Sequence, residues 1–294
     1  MTLSDNTVID RYQTRTSTPR AHIERTDPTV WGHIESPELA TFEPYGYSVI
    51  DALLDPAEVA EFSAETRRLA DDPDLWLDER LIIEKTSRRV RSIFEVHKLS
   101  DAIADLVRQS RIRGLAEQIL GSEVYLHQSR VNYMPGFRGA GFYWHSDFET
   151  WHAEDGMPAP RAVSLSIALT DNYPYNGSLM LMPGSHRTFV PCQGETPAEH
   201  YRDSLREQQI GVPTQDDITK LASTYGINQF TGAAGSALLF DSNIMHGSSS
   251  NITPFPRSNI FLVFNSVENA LVAPFAADTP RPTYIGSRDF TPIG

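Results

Sequence analysis

His145, Ser146 and Asp147 stand at the centre of the stretch from Phe142 to Pro158, and His246 lies about a hundred residues further on. On an extended strand side chains alternate between faces, so an imidazole and a carboxylate two positions apart point the same way. With a second imidazole they offer two nitrogens and one oxygen to a single ion and leave other coordination positions open. That donor set suits non-haem Fe(II) and oxygen chemistry. A His-x-Asp pair alone is weak evidence, because a surface His and Asp on a half-exposed strand have the same spacing. Two further features add weight. His246 follows the strand-like run Ala237–Phe240, and Arg257 follows His246 by eleven positions, ahead of another apolar run. A fixed guanidinium near such a site could grip a carboxylate with two parallel hydrogen bonds, as a dicarboxylate co-substrate requires.

Elements must bring these groups together. Asp55, Pro56 and Glu58 have the spacing of a capping box with proline at the first helical position. Val59, Phe62 and Leu69 then fall on one face, and Asp71-Asp72-Pro73 stops the helix. A second helix is predicted from Ser100, carrying Ile103, Leu106, Ile112, Leu115 and Ile119 to a terminal Gly121. From Val124 the period changes. The runs 124–134, 162–169, 178–182, 237–241 and 260–265 are short, β-branched or aromatic, and bounded by turn residues. Helices first and strands afterwards predict a mainly β fold with flanking helices, a jelly-roll pair of sheets. We expect a single domain over 1–294, with a polar, loosely ordered arm over 1–30, a helical flank over 31–122 and a jelly-roll core over 123–294. The core carries a charged, helix-prone insertion at 193–229, a candidate lid or a plain surface excursion.

The 294 residues suffice for a substantial core, and 40% hydrophobic with 21% charged residues reads as an ordinary globular protein. The formal charge of −13 argues against a nucleic-acid partner and gives no attraction to an anionic membrane. A dianionic co-substrate would need local cations. The lone cysteine, Cys192, excludes an intramolecular disulfide and fits a reducing cytoplasm; a structural thiol is favoured over a nucleophile. No apolar run is long enough for a membrane span, and residues 1–5 lack the pattern of a signal peptide.

The block Phe142–Pro158 resembles the signature of the ectoine hydroxylases, a branch of the phytanoyl-CoA-hydroxylase-like Fe(II)/2-oxoglutarate dioxygenases. Supporting blocks are Asn176–His186, Asn251–Arg257 and Asn265–Ala270, and the similarity runs from about Tyr12 to near the C-terminus. The resemblance implies a double-stranded β-helix of the cupin-like type. It implies Fe(II), 2-oxoglutarate and O2 as cofactor and co-substrates. The activity implied is hydroxylation of L-ectoine to 5-hydroxyectoine with release of succinate and CO2, in compatible-solute synthesis under osmotic or temperature stress. A homodimer is implied as well.

On that resemblance His145, Asp147 and His246 are the metal ligands, with no catalytic group beyond them. Arg257 would hold the distal carboxylate of 2-oxoglutarate, with Ser248 as hydroxyl donor and Asn132 facing the co-substrate. Gln128, Trp151, Asn259 and Phe261 would bind the substrate. Trp151 could supply an aromatic face to the delocalised amidinium, and Thr150 and Arg281 are further candidates for its carboxylate. The chain departs from the family pattern at Met134, where a lysine is expected; either Arg257 alone suffices, or Arg130 or Arg138 substitutes. His152, Glu154 and Asp155 read as solvated or loop-ordering groups and His186 as a turn element. The rival readings are a dioxygenase for another small amino-acid-like molecule and a non-catalytic metal-binding jelly roll. A zinc hydrolase is weaker, since no general base for a bound water is evident.

Overall fold

The strand Val124–Met134 pairs antiparallel along its length with Arg257–Ser266, broken by a bulge after Val263. A computed structural model, describing residues 9–84, 88–137, 139–205 and 210–294, places this pair at the middle of a seven-stranded antiparallel sheet. Its order is Tyr47–Ile50, Ala237–Asp241, Ala162–Ala168, Arg257–Ser266, Val124–Met134, Val90–Phe94 and Leu81–Ile83. A smaller sheet of Asn228–Gln229, Leu179–Leu181, His246–Ser248 and Phe142–His145 faces it. The architecture is the jelly roll expected from the sequence.

The large sheet has two different faces, and the sequence writes them with a period of two. Val163, Leu165, Ile167, Val131, Ile260 and Leu262 join a core with Phe62, Leu69, Ile103, Leu106, Ile112, Leu115 and Ile119 of the helices. The intervening residues point the other way. Across the central ladder they form the facing pairs Arg257–Met134, Asn259–Asn132, Phe261–Arg130 and Val263–Gln128. Alternation thus turns one face to the helices and the other to the space between the sheets.

The first helix, Pro56–Asp71, is capped as predicted. Asp55 accepts from the amides of Ala57 and Glu58 at 2.8 and 2.9 Å, and the Glu58 carboxylate accepts from the Asp55 amide at 2.9 Å. The predicted second helix is two, Asp101–Arg108 and Ser110–Leu120, separated by Gln109 at ψ 131°. One continuous helix would carry Ser110 and Arg113 onto the face of Leu106; the break re-phases the stripe so that Ile112, Leu115 and Ile119 reach the core. Gly121 ends it at φ 65°.

Two expectations need correction. The 31–122 flank also contributes three strands, Tyr47–Ile50, Leu81–Ile83 and Val90–Phe94, at the two sides of the large sheet. These runs are only three to five residues long, too short to stand out by periodicity. The arm is not loosely ordered from Tyr12 onward, whereas residues 1–8 lie outside the described part. Tyr12, Thr14, Arg15 and Arg25 are buried, and Ile23–Glu24 pairs with Thr188–Phe189. Arg25 reaches Asp241 at 2.7 Å and the carbonyls of Pro28 and Pro160 at 2.6 and 2.9 Å. A polar sequence here signals buried ion pairs rather than a solvated tail.

Candidate active site

His145 and His246 are directly opposed partners in the small sheet, with ring centroids 4.2 Å apart. Facing positions on adjacent strands bring side chains this close without further device. Asp147 arrives differently from the sequence expectation. The strand ends at His145; Ser146 is an extended N-cap and Asp147 the first residue of the helical turn Asp147–Thr150. Ser146 accepts from the Glu149 amide at 3.4 Å and donates to Asn243 Oδ1 at 3.1 Å. The carboxylate therefore reaches the histidines from a strand-to-helix corner, not from an alternating strand.

The three donors fit a metal ion. Asp147 Oδ1 lies 3.7 Å from His145 Nε2, and Oδ2 lies 3.9 Å from His246 Nε2. All three candidate ligand atoms are within 4.8 Å of one another. The Nδ1 of His145 meets the Tyr143 carbonyl at 2.7 Å, and that of His246 meets the Ile244 carbonyl at 3.1 Å. A carbonyl only accepts, so Nδ1 carries the proton in both rings and both Nε2 lone pairs face Asp147. Burial, with His246 adding to it, pushes His145 down to about 4, which keeps it a neutral ligand. Burial alone would raise Asp147, but His246, His145 and Arg130 outweigh it and hold the carboxylate below its usual range. Ser164, on the inward face of its strand, donates to Asp147 Oδ2 at 3.4 Å.

The cavity beside the triad is lined by Gln128, Arg130, Asn132, Met134, Thr150, Trp151, Ser248, Arg257, Phe261 and Arg281, together with Arg91, Phe142, Ser204 and Leu205. Arg257 is 8% exposed, and among the described residues no acidic side chain pairs with it. Its Nε has no hydrogen-bond partner. Burial, with Arg91 contributing, pushes it down to about 10, so it stays charged at neutral pH. A buried guanidinium without a carboxylate of its own is a slot for an anion. Ser248 accepts from the Phe142 amide at 3.2 Å, and Asn132 accepts from Ser92 at 2.8 Å.

Among the substrate candidates, Gln128, Trp151, Phe261, Thr150 and Arg281 line the cavity, but Asn259 does not. Asn259 donates to Ser166 Oγ at 3.1 Å and accepts from Arg257 Nη1 at 3.4 Å, so it steadies the arginine from behind. Gln128 accepts from Arg130 at 2.9 Å and donates to the Ile285 carbonyl at 2.6 Å. Arg281 is held by Asp155 at 2.8 and 2.5 Å. Of the two arginines named as substitutes for a lysine at Met134, Arg130 lines the cavity and lies over the Phe261 ring at 5.0 Å, while Arg138 falls outside the described residues.

Sequence reading missed Arg91. It sits in the short strand Val90–Phe94, pairs with Glu84 at 3.1 Å and lies over the Phe142 ring at 4.6 Å. An arginine inside a β-branched run was the available signal. Of the two roles expected for the groups after Trp151, the solvated one falls and the ordering one stands: the π-helical turn Trp151–Asp155 is buried throughout. His152 bonds the Met157 carbonyl at 2.8 Å and Asp10 at 3.0 Å. Cys192 is buried, and burial raises its thiol well above the usual range, as a structural thiol requires.

The phytanoyl-CoA dioxygenase (PhyH) family model matches residues 42–259. The chain is 76% identical to the ectoine dioxygenase of Nocardia farcinica, over 97% of this chain and 96% of that protein. It is 55% identical to the ectoine dioxygenase of Streptomyces coelicolor over the full length of both. Among solved structures, EctD from S. alaskensis with 2-oxoglutarate and 5-hydroxyectoine superposes with a TM-score of 0.86 at 42% identity, covering 95% of each chain. The iron-bound form of EctD matches at a TM-score of 0.83, with 40% identity over 96% of each chain. The protein belongs to the phytanoyl-CoA dioxygenase family and, within it, to the ectoine dioxygenases.

Proposed function

We propose that this chain hydroxylates ectoine to 5-hydroxyectoine with Fe(II), 2-oxoglutarate and O2, releasing succinate and CO2. The observation that carries the reading is one cavity with a His145–Asp147–His246 triad and the guanidinium of Arg257, which pairs with no acidic side chain among the described residues. The relatives named ectoine dioxygenase, and the EctD structures with iron, 2-oxoglutarate and 5-hydroxyectoine, support it. Iron bound at the triad supplies oxygen activation coupled to decarboxylation of the keto acid, leaving open positions that three protein ligands permit.

The chain's own residues do the placing. Arg257 takes the distal carboxylate of 2-oxoglutarate, Asn259 keeps that arginine aimed, and Ser248 and Asn132 flank it. Arg130 offsets the charge of Asp147. Trp151 and Phe261 present apolar faces to the substrate ring, and Arg281, fixed by Asp155, presents a cation to its carboxylate. Ser204 and Leu205, from the 193–229 insertion, line the cavity, which supports a lid role for that segment over a plain surface excursion. We read the whole of 1–294 as one dioxygenase domain. The family resemblance supports a homodimer working in the cytoplasm on compatible-solute synthesis. Among the described residues no helix is long and apolar enough to cross a membrane.

The test is a product assay with ectoine, Fe(II), 2-oxoglutarate and air. Ectoine-dependent succinate and a hydroxylated product are expected; strong stimulation by proline instead of ectoine would move the reading to another small zwitterion. Light scattering on the purified protein tests the dimer.

A further inference from the structure

Arg15 has features that the proposed chemistry does not use. Its side chain is wholly buried, although it lies in the arm, far in sequence from every candidate ligand. Its Nε and Nη2 donate to the two oxygens of Glu149 at 2.7 and 2.9 Å, a bidentate fork, and Nη2 lies 3.2 Å from Glu154. Thr14 adds a hydroxyl to Glu149 Oε1 at 2.6 Å. His200, at the start of the segment that carries Ser204 and Leu205, meets the same Glu154 oxygen at 3.0 Å. The backbone at Arg15 is left-handed, φ 57°, where a side-chain-bearing residue is disfavoured. Gly211 closes over the pair: a Cβ there would come within 2.1 Å of Arg15 Nη2 and 2.8 Å of Glu149 Oε2.

Glu149 is two residues from Asp147 in the same helical turn, and its amide is the one that Ser146 caps. Glu154 lies in the next turn, beyond Trp151. The sheet therefore fixes the two histidines, but the direction of the corner that carries Asp147 is set by what grips its two glutamates. Two buried carboxylates side by side would repel each other and drive the turn apart without a cation between them.

We infer that Arg15 is a positioning residue for the metal centre: its fork to Glu149, with Thr14 and Glu154, fixes the turn that presents Asp147 to the two histidines, so the N-terminal arm is part of the iron site. This rests on the proposed iron site and goes beyond it, because it assigns a role to a segment that touches neither metal nor substrate. Arg15 bonds no reacting atom and acts through Glu149.

The experiment reads Fe(II) affinity without turnover. The full chain is titrated anaerobically with Fe(II) in the presence of 2-oxoglutarate, following the visible charge-transfer band and the metal retained after gel filtration. Replacing a residue that bonds a metal ligand directly typically weakens binding about 10- to 100-fold; Arg15 acts one contact further out, through Glu149, so Arg15→Ala should lose about three- to tenfold in Fe(II) affinity. Arg15→Lys, which keeps the charge but loses the fork, should recover part of it. Asp55→Ala, a helix cap remote from the site, is the control: it should lower the melting temperature and leave Fe(II) affinity unchanged. If Arg15→Ala does not fold, Thr14→Val carries the test: it also strands the Cys192 amide and should melt somewhat lower, and weakened Fe(II) affinity in the folded variant, measured well below its melting temperature, is the supporting result. Arg15→Ala or Thr14→Val binding Fe(II) as the parent does would overturn the inference alone. A parent chain that takes no iron would sink the proposed function and this inference with it.

Discussion

No strand of the small sheet exceeds four residues, yet this sheet holds both candidate histidine ligands, opposite one another on Phe142–His145 and His246–Ser248. In the large sheet Val124–Met134 has eleven residues and Arg257–Ser266 has ten, and their shared ladder presents Arg130, Arg257 and the polar lining of the cavity. Strands of two to four residues are marginal by themselves. The metal end of the cavity accordingly borrows its rigidity from clasps: Arg15 on Glu149 and Arg281 on Asp155. The cation end is fixed by its own ladder and by the helical core behind it. The difference teaches where damage should travel. Change at the small sheet should reach iron, and change on the large sheet should reach the co-substrate.

The largest effect should come from His246→Ala. It removes one of three proposed ligands, while among the described residues the ring forfeits one hydrogen bond, to the Ile244 carbonyl. Iron retention should fall by well over about 100-fold, beyond the loss of an outer partner, and turnover should vanish with little change in the melting temperature of the metal-free protein. Retained iron with full activity would sink the triad. On the other side of the comparison, Arg257→Ala should raise the 2-oxoglutarate requirement by roughly 10- to 100-fold, the scale of one charge-assisted contact. Iron retention should stay near normal. Loss of iron in that variant would show that the two ends are not separable.

How much of this was legible in the chain follows the same division. The long strands announced themselves, because Val163-Ser164-Leu165-Ser166-Ile167 alternates helix-side core with serines that bond Asp147 and Asn259 on the other face. The capping box of Asp55 was equally direct. The ligand types were legible too, but the reason given for their convergence was half right: the histidines meet across a ladder, whereas Asp147 turns a corner that His-x-Asp spacing does not reveal. Asn259 was read as a substrate contact on the family resemblance alone, yet its side chain bonds Ser166 and Arg257 and does not line the cavity. The clasps were invisible for a different reason. Arg15 and Glu149 are 134 positions apart, and nothing local marks a polar arm as buried.

Acidification should strain both regions through one buried histidine each. His97, against Ser129 on the helix side of the large sheet, and His186, packed against Gly46 near the small one, are both pushed down to about 4 by burial. The unfolded chain takes up these protons near pH 6.5, before the folded chain does. Stability from neutral burial is therefore complete above about pH 6.5 and declines as pH falls toward about 4. Melting temperatures of the metal-free protein should fall across that window. His97→Gln should flatten the dependence without altering Fe(II) affinity; an unchanged slope would mean that His97 takes up its proton as readily when folded.

The smallest effect expected on the co-substrate is that of Met134→Lys, which restores the cation that the family resemblance leads one to expect. Met134 stands opposite Arg257 in the ladder. It is walled in by Gly139 and Gly177, where an added Cβ would come within 2.3 Å of its Cγ and 2.1 Å of its Sδ. A lysine there would place an ammonium beside Arg257 in a cavity that Arg91 and Arg130 also line. Like charges directly opposite are destabilising, so the variant should melt lower than the parent without ligand. A bound dianion would relieve the repulsion, so 2-oxoglutarate should raise the variant's melting temperature more than the parent's. With four guanidiniums already lining the cavity, the 2-oxoglutarate requirement should shift by no more than about threefold, less than one good charge-assisted hydrogen bond. A tenfold improvement would show instead that the arginine end is short of charge and that Arg130 is committed to Asp147.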